Sequence, residues 1–147
     1  MHNNIYIDTN IIVDIFDAAR PFHKASFDIL HTCFENEEIE LFINSDTLSN
    51  LFYIMRAHMK LSLDDALEKL EYIHDAFSII YTDDTIFETT LGLCKKHIFK
   101  DYEDALQFVS AANANCTLII TSNPKDFKNS SIEVVTSKEL CRLWARL

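Results

Sequence analysis

Apolar positions along this chain follow two periods, one typical of strands and one typical of helices. Short runs of β-branched and aromatic residues predict strands at 5–7, 41–43, 77–81, 117–120 and 132–135. Apolar residues three and four positions apart predict helices over 11–16 and about 21–36, after residues 44, 62, 83 and 101, and over 137–147. Strands separated by helices of this length predict a parallel sheet with helical crossovers.

The length and composition favour one domain. A chain of 147 residues with 48% hydrophobic residues is long enough to bury a sizeable core. A single Gly and two Pro argue against a flexible linker. We therefore predict a single α/β domain over residues 1–147, whose central parallel sheet is flanked by helices.

The start of the chain and its apolar runs predict a cytoplasmic protein. No apolar run approaches the roughly 20 residues that cross a bilayer. The first residues show neither a basic segment nor the apolar stretch of a signal peptide. We therefore expect no membrane partner.

The charge balance argues against a general affinity for nucleic acid. The formal net charge is -10, and phosphate neutralisation requires Lys and Arg. By itself this balance favours a small-molecule enzyme or a protein-binding module. An acidic protein can still act on nucleic acid if metal ions convert its carboxylates into a phosphate site.

The first strand runs directly into a carboxylate. Ile5-Tyr6-Ile7 is followed by Asp8, and in an open parallel sheet ligands bind beyond the carboxyl ends of the strands. A charge directly after a buried strand needs a hydrogen-bond partner or a metal. Asp8 is therefore a candidate for chemistry. The alternative is that Asp8 or Asn10 only caps the next helix.

Two more polar clusters stand at predicted element ends, at 101–104 and 123–126. Each has a structural explanation, because Asp101 has the pattern of a helix N-cap and Asn123 precedes a proline at a first helical position. If the strands at 5–7 and 117–120 are neighbours, however, Asp8, Asp104 and Asp126 converge at one edge of the sheet. Carboxylates gathered in this way would bind one or two Mg²⁺ or Mn²⁺ ions.

These segments together resemble the PIN domain family. The matching segments are Asp8-Thr9-Asn10, Asp101 to Gln107, and Ile119 to Phe127, and their order and spacing agree from residue 5 to about 135. The resemblance implies a three-layer α/β/α domain and a Mg²⁺- or Mn²⁺-dependent endoribonuclease. It also implies the toxin branch of VapBC-type toxin–antitoxin pairs, with RNA as substrate, an antitoxin partner and a homodimer.

The resemblance also assigns roles to individual positions. Asp8, Asp104 and Asp126 correspond to metal ligands. Small polar residues and amides that orient ligands and water are expected at Asn10, Asn50, Thr121 and Asn123. Apart from the resemblance, Arg56, Lys60, Lys125 and Lys128 could contact RNA phosphates near the crevice, and a solvated surface position is the alternative for each. Arg56 and Lys125 are the preferred candidates.

One position departs from the family pattern. The family places an acid five residues after a serine in the helix that follows the second strand, and here Ser45 is followed by Asn50. An amide keeps an oxygen but loses a charge, so Glu103 is a possible substitute acid. Asp46 is displaced and is expected to point elsewhere. The alternative function is a PIN-like RNA- or protein-binding module with weak or absent catalysis.

Two further alternatives concern Asp8 and Asp14. A phosphohydrolase or phosphotransferase could use Asp8 as a nucleophile, although Asn10 then replaces the second acid that such enzymes commonly carry. Asp14, one turn beyond Asn10, could join the metal ligands or lie on a solvated helix face.

Overall fold

A computed structural model describes residues 2–146 as five strands, seven α-helices and one 3-10 turn. The strands are β1 (Asn4–Ile7), β2 (Glu40–Asn44), β3 (Ser78–Ile80), β4 (Leu118–Ile120) and β5 (Glu133–Val135). The helices are α1 (Thr9–Phe16), α2 (His23–Phe34), α3 (Ser45–Ala57), α4 (Leu63–Ala76), α5 (Asp84–Lys95), α6 (Tyr102–Asn113) and α7 (Ser137–Trp144), and the 3-10 turn is Pro124–Phe127. Within this described part, no helix combines the length and apolar character needed to cross a membrane.

All five strands are parallel and follow the order β3-β2-β1-β4-β5. The first strand lies at the centre, where Tyr6 pairs with Phe42 on one side and Ile119 on the other. Since the carboxyl ends of parallel strands meet at one edge, the residues after β1 and β4 become neighbours. This confirms the predicted parallel sheet.

The strand residues pack alternately on the two faces of the sheet. Ile5 and Ile7 join a core formed with α1, α2, α3, α4 and α7. Tyr6 and Ile119 point the other way and pack with residues of α5 and α6. The alternation follows from the two-residue period of a strand. The predicted three-layer α/β/α architecture is therefore confirmed.

Several predicted boundaries differ from the observed ones. Helix α1 begins at Thr9, two residues before the predicted start, and β3 is limited to Ser78–Ile80. The helix predicted after residue 83 ends at Lys95, and His97 adopts a left-handed backbone with φ of 59°. The last predicted helix ends at Trp144, and residue 147 lies outside the described residues.

Asp14 occupies neither of its two expected positions. It is 1% exposed, and its carboxylate accepts hydrogen bonds from Arg20 Nε at 2.7 Å and from Ser26 Oγ at 3.0 Å. The Ser26 hydroxyl lies 2.9 Å from that of Ser137, so the network joins α1, α2 and α7. Both expectations, a metal ligand and a solvated face, are therefore wrong, and Asp14 holds three helices together.

We expect Asp14→Ala to destabilise the protein by about 2–4 kcal/mol, because it removes two charge-assisted hydrogen bonds from a buried site. Urea unfolding measures the change. The matched control is Asp28→Ala, which breaks an exposed ion pair with Lys24 and is expected to cost less than about 1 kcal/mol. Equal losses in the two variants would contradict the assigned role of Asp14.

Candidate active site

A crevice of about 510 Å³ opens at the carboxyl-terminal edge of the sheet, where α1, α3 and α6 begin. Its polar lining residues are Asp8, Thr9, Asn10, Asn50, Asp101, Glu103, Asp104, Gln107 and Asp126. Three carboxylates predicted from distant parts of the sequence therefore line one crevice. Asn10, Asn50 and Glu103 lie there as well.

Asp8 lies at the base of the crevice and is oriented by two hydrogen bonds. Its Oδ2 accepts from Thr121 Oγ1 at 2.6 Å, and its Oδ1 accepts from Gln107 Nε2 at 2.9 Å. Asp8 stands at the N-cap position of α1, but its side chain makes no capping hydrogen bond. The interpretation that Asp8 only caps this helix is therefore wrong, because its carboxylate accepts from side chains of α6 and of the turn after β4. Burial raises the pKa of Asp8, whereas the hydrogen bonds from Thr121 and Gln107 oppose that rise.

Gln107 is the site residue that the sequence analysis missed. Its amide donates to Asp8, and its Oε1 accepts from the Thr9 backbone N–H at 3.2 Å. The side chain is buried, with 2% exposure, so both polar ends are used inside the protein. The available signal was a polar residue among apolar ones, one turn after Asp104 on the same helix face.

Asp104 sits in the first turn of α6, half-buried among other acids. Its backbone N–H donates to Asp101 Oδ1 at 3.0 Å, which confirms Asp101 as the N-cap. Burial, followed by the negative charges of Asp101, Asp126, Asp8 and Glu103, raises the pKa of Asp104 from its ordinary 3.8 to about 7. This carboxyl group therefore stays protonated to a higher pH than that of an ordinary aspartate.

The raised pKa of Asp104 makes the metal-free protein less stable as the pH rises. The folded protein binds a proton up to a pKa of about 7, whereas the unfolded chain releases it near 3.8, so stability falls between these values. We expect Asp104→Asn to weaken this pH dependence and to raise the melting temperature most at pH about 8. Thermal unfolding in chelator from pH about 4 to 8 measures both effects, and an unchanged pH profile would contradict them.

Glu103 and Asn50 form a direct contact across the crevice. Asn50 Nδ2 donates to Glu103 Oε1 at 3.2 Å, and Thr9 Oγ1 donates to the same oxygen at 3.4 Å. Burial and the charges of Asp8 and Asp101 raise the pKa of Glu103, while these two hydrogen bonds oppose that rise. The amide at position 50 thus binds a carboxylate that comes from α6.

The turn after β4 supports the site without a side-chain cap. Asn123 is the N-cap of the 3-10 turn and Pro124 follows it, as the pattern predicted, but the Asn123 side chain makes no capping hydrogen bond. The Asn123 backbone N–H donates to Thr121 Oγ1 at 3.1 Å. Asn123 does not line the crevice, whereas Asp126 does. Phe127 is 2% exposed and anchors this turn in the core, as expected.

The other predicted residues lie outside the crevice lining. Arg56, in the last turn of α3, donates from Nη1 to the Leu61 carbonyl oxygen at 2.9 Å. Lys125 lines an adjoining cavity that shares Asp101, Asp104 and Asp126 with the crevice. Asp46 is exposed and absent from the lining, as expected.

The donor chemistry of the crevice fits a hard divalent cation. It carries five carboxylates and no histidine or cysteine among its described lining residues, and Mg²⁺ and Mn²⁺ bind oxygen ligands. Among residues 2–146, no three acidic, histidine or cysteine side chains form a ready-made metal cage. Mg²⁺ rarely uses such a cage, because it binds one or two carboxylates and completes its shell with water and substrate phosphates.

Comparison with known proteins defines the class to which this fold and crevice belong. The chain matches the PIN domain over residues 5–131 and belongs to that family. It is 33% identical over 144 residues to Ribonuclease VapC1 of Aquifex aeolicus (strain VF5), which covers 97% of this chain and 96% of that protein. The predicted family is therefore confirmed.

Two solved structures share the fold at lower sequence identity. FitAcB from Neisseria gonorrhoeae has a TM-score of 0.69 and 18% identity, with 91% of this chain and 98% of that chain covered. VapBC-1 from nontypeable Haemophilus influenzae has a TM-score of 0.68 and 18% identity, covering 92% and 98%. These likenesses support the architecture.

Proposed function

We propose that this protein is a Mg²⁺- or Mn²⁺-dependent endoribonuclease that hydrolyses RNA phosphodiester bonds. The observation that carries the proposal is the buried Asp8 carboxylate, oriented by Thr121 and Gln107 in a crevice that also contains Asp104 and Asp126. The relative from Aquifex aeolicus bears the name ribonuclease, which supports the same activity for this chain.

In this proposal Asp8, Asp104 and Asp126 supply carboxylates for one or two metal ions, each of which would bind one or two of them and complete its shell with water and phosphate oxygens. The Asp8 oxygens accept from Thr121 and Gln107, and a carboxylate oxygen that accepts a hydrogen bond can also bind an ion. A divalent ion held there would supply the chemistry that activates a water molecule and stabilises negative charge on the phosphate. Thr121 and Gln107 keep the Asp8 carboxylate in one orientation, and such outer hydrogen bonds commonly determine metal affinity. Asn10, which lines the crevice, and Asn123 are proposed to orient water.

The Asn50–Glu103 contact favours an enzyme over a binding module. Asn50 stands where the family pattern has an acid, so α3 contributes no negative charge to the crevice. Glu103 of α6 contributes a carboxylate at the same place and compensates for that missing acid. An acid at both positions would place two negative charges within hydrogen-bond distance, at a large electrostatic cost. We therefore propose Glu103 as the substitute acid.

The nucleophile alternative receives less support. Both Asp8 oxygens accept hydrogen bonds and the side chain is 5% exposed, whereas an attacking carboxylate needs access to the phosphorus. Enzymes of that kind commonly also carry a lysine in the crevice, and among the described residues no lysine lines this one. A phosphorylated Asp8, trapped and identified by mass spectrometry, would revive this alternative.

We also propose that the protein acts in the cytoplasm as the toxin of a type II toxin–antitoxin pair, as a homodimer whose antitoxin covers the crevice. Support comes from solved relatives described as VapBC or toxin–antitoxin complexes. Coexpression with the product of a small neighbouring gene, followed by light scattering, tests both associations. A monomer without partner-dependent inhibition would contradict them.

The test of the proposed activity combines RNA cleavage with metal binding. The purified protein is expected to cleave RNA with Mn²⁺ and to lose this activity in chelator. Asp104→Asn is expected to lose cleavage while keeping its fold, as judged by circular dichroism. A calorimetric titration in which millimolar Mn²⁺ produces no heat, together with absent cleavage, would favour the binding module instead.

A further inference from the structure

A second cavity, of about 240 Å³, adjoins the active-site crevice. Its lysines are Lys100, Lys125 and Lys128, and we refer to it as the lysine cavity. It shares Asp101, Asp104 and Asp126 with the crevice, so the two cavities are continuous at these carboxylates. A polymer bound along one cavity would therefore reach the other.

The lysine cavity is built on anchored backbone. It lies between the loop before α6 and the turn after β4, which are tied together by a hydrogen bond from Asn129 Nδ2 to the Ile98 carbonyl oxygen at 2.6 Å. Beneath them, Phe99 and Phe127 are buried, with ring centroids 6.5 Å apart. The lysines are therefore held beside the crevice by two segments that cannot separate without breaking core contacts.

The charge of this cavity contrasts with that of the whole protein. The chain carries 13 Lys and Arg against 23 Asp and Glu, yet three of the cations gather here. The ion pairs found in residues 2–146 are made by other side chains, so these three ammonium groups remain available. The three shared carboxylates balance the three lysines, so a divalent ion on Asp104 and Asp126 would leave the cavity with a net positive charge.

We propose that the lysine cavity binds the sugar–phosphate backbone of single-stranded RNA on one side of the bond to be cleaved. This inference rests on the proposed function. Lysine ammonium groups bind phosphates as point charges and carry no sequence information, so the cavity positions the strand rather than selects a sequence. An acidic peptide would satisfy the same charges, but the continuity with the crevice favours the substrate.

The experiment compares two triple variants that lose the same charge. In the lysine-cavity variant, Gln replaces Lys100, Lys125 and Lys128. The matched control carries Lys69→Gln, Lys138→Gln and Arg142→Gln, which lie outside both cavities. Fluorescence anisotropy with a short labelled single-stranded RNA, with Ca²⁺ as the divalent ion in place of Mn²⁺ and at several salt concentrations, measures affinity. Cleavage kinetics with Mn²⁺ and calorimetric Mn²⁺ binding complete the comparison.

We expect the lysine-cavity variant to bind RNA about tenfold more weakly or worse, with a salt slope smaller by about two. Its kcat/KM falls although its Mn²⁺ affinity does not fall, and the control variant resembles the wild type in every measurement. Equal RNA affinities and equal salt slopes in the two triple variants would overturn the inference even if the wild type cleaves RNA. A wild type that binds RNA through these lysines but never cleaves it would overturn the proposed function alone.

Discussion

Replacement of Asp8 by Asn is expected to reduce Mn²⁺-dependent RNA cleavage about 1,000-fold or more. The substitution keeps the shape of the side chain but removes the charge that would bind a cation, and a catalytic metal contributes several kcal/mol to the transition state. The measurements are the initial rate of cleavage and the calorimetric Mn²⁺ affinity, and both are expected to fall.

The fold is expected to survive this substitution. Asn at position 8 can still accept from Gln107 Nε2 through its oxygen, and the Thr121 hydroxyl can rotate to accept a hydrogen bond from the new amide. The matched control is Asp46→Asn, an exposed acid at the start of α3 that does not line the crevice. An Asp8→Asn protein that retains more than about a tenth of the wild-type rate would exclude Asp8 as a metal ligand.

Removing the acid at position 103 is expected to weaken RNA cleavage, and adding an acid at position 50 of the same variant is expected to restore it. Glu103→Gln keeps the oxygen that accepts from Asn50 and Thr9 but removes its charge, and should weaken cleavage and Mn²⁺ affinity by about 10–100-fold. Adding Asn50→Glu to this variant returns a carboxylate to the crevice and should recover most of the loss. Cleavage rates and Mn²⁺ calorimetry on the single and double variants measure the exchange.

The remaining single variant and a distant control complete this comparison. Asn50→Glu alone places two carboxylates in contact, so its melting temperature in chelator is expected to fall as the pH rises from about 5 to 8. Glu88→Gln, on the exposed side of α5, controls for the loss of one acid. If Glu103→Gln matches Glu88→Gln in rate and in Mn²⁺ affinity, then Glu103 is not a substitute acid.

The sequence by itself was sufficient for features that depend on local periodicity. The run Ile5-Tyr6-Ile7 alternates between two buried faces, and that alternation predicts a central strand whichever helices cover it. The N-cap at Asp101 was also predictable, because its partner is the backbone N–H only three residues away. The parallel order of strands then brings Asp8 near the turn after β4.

Only the tertiary structure decided which side chains meet. Gln107 and Thr121 contact Asp8 across 99 and 113 residues of sequence, and no short-range pattern encodes such a distance. Asp14 was misread although its partners Arg20 and Ser26 are only 6 and 12 residues away, because they belong to the loop after α1 and to the next helix, where helical periodicity no longer applies. Periodicity tells which side of an element is buried, whereas the identity of each hydrogen-bond partner depends on how the elements pack.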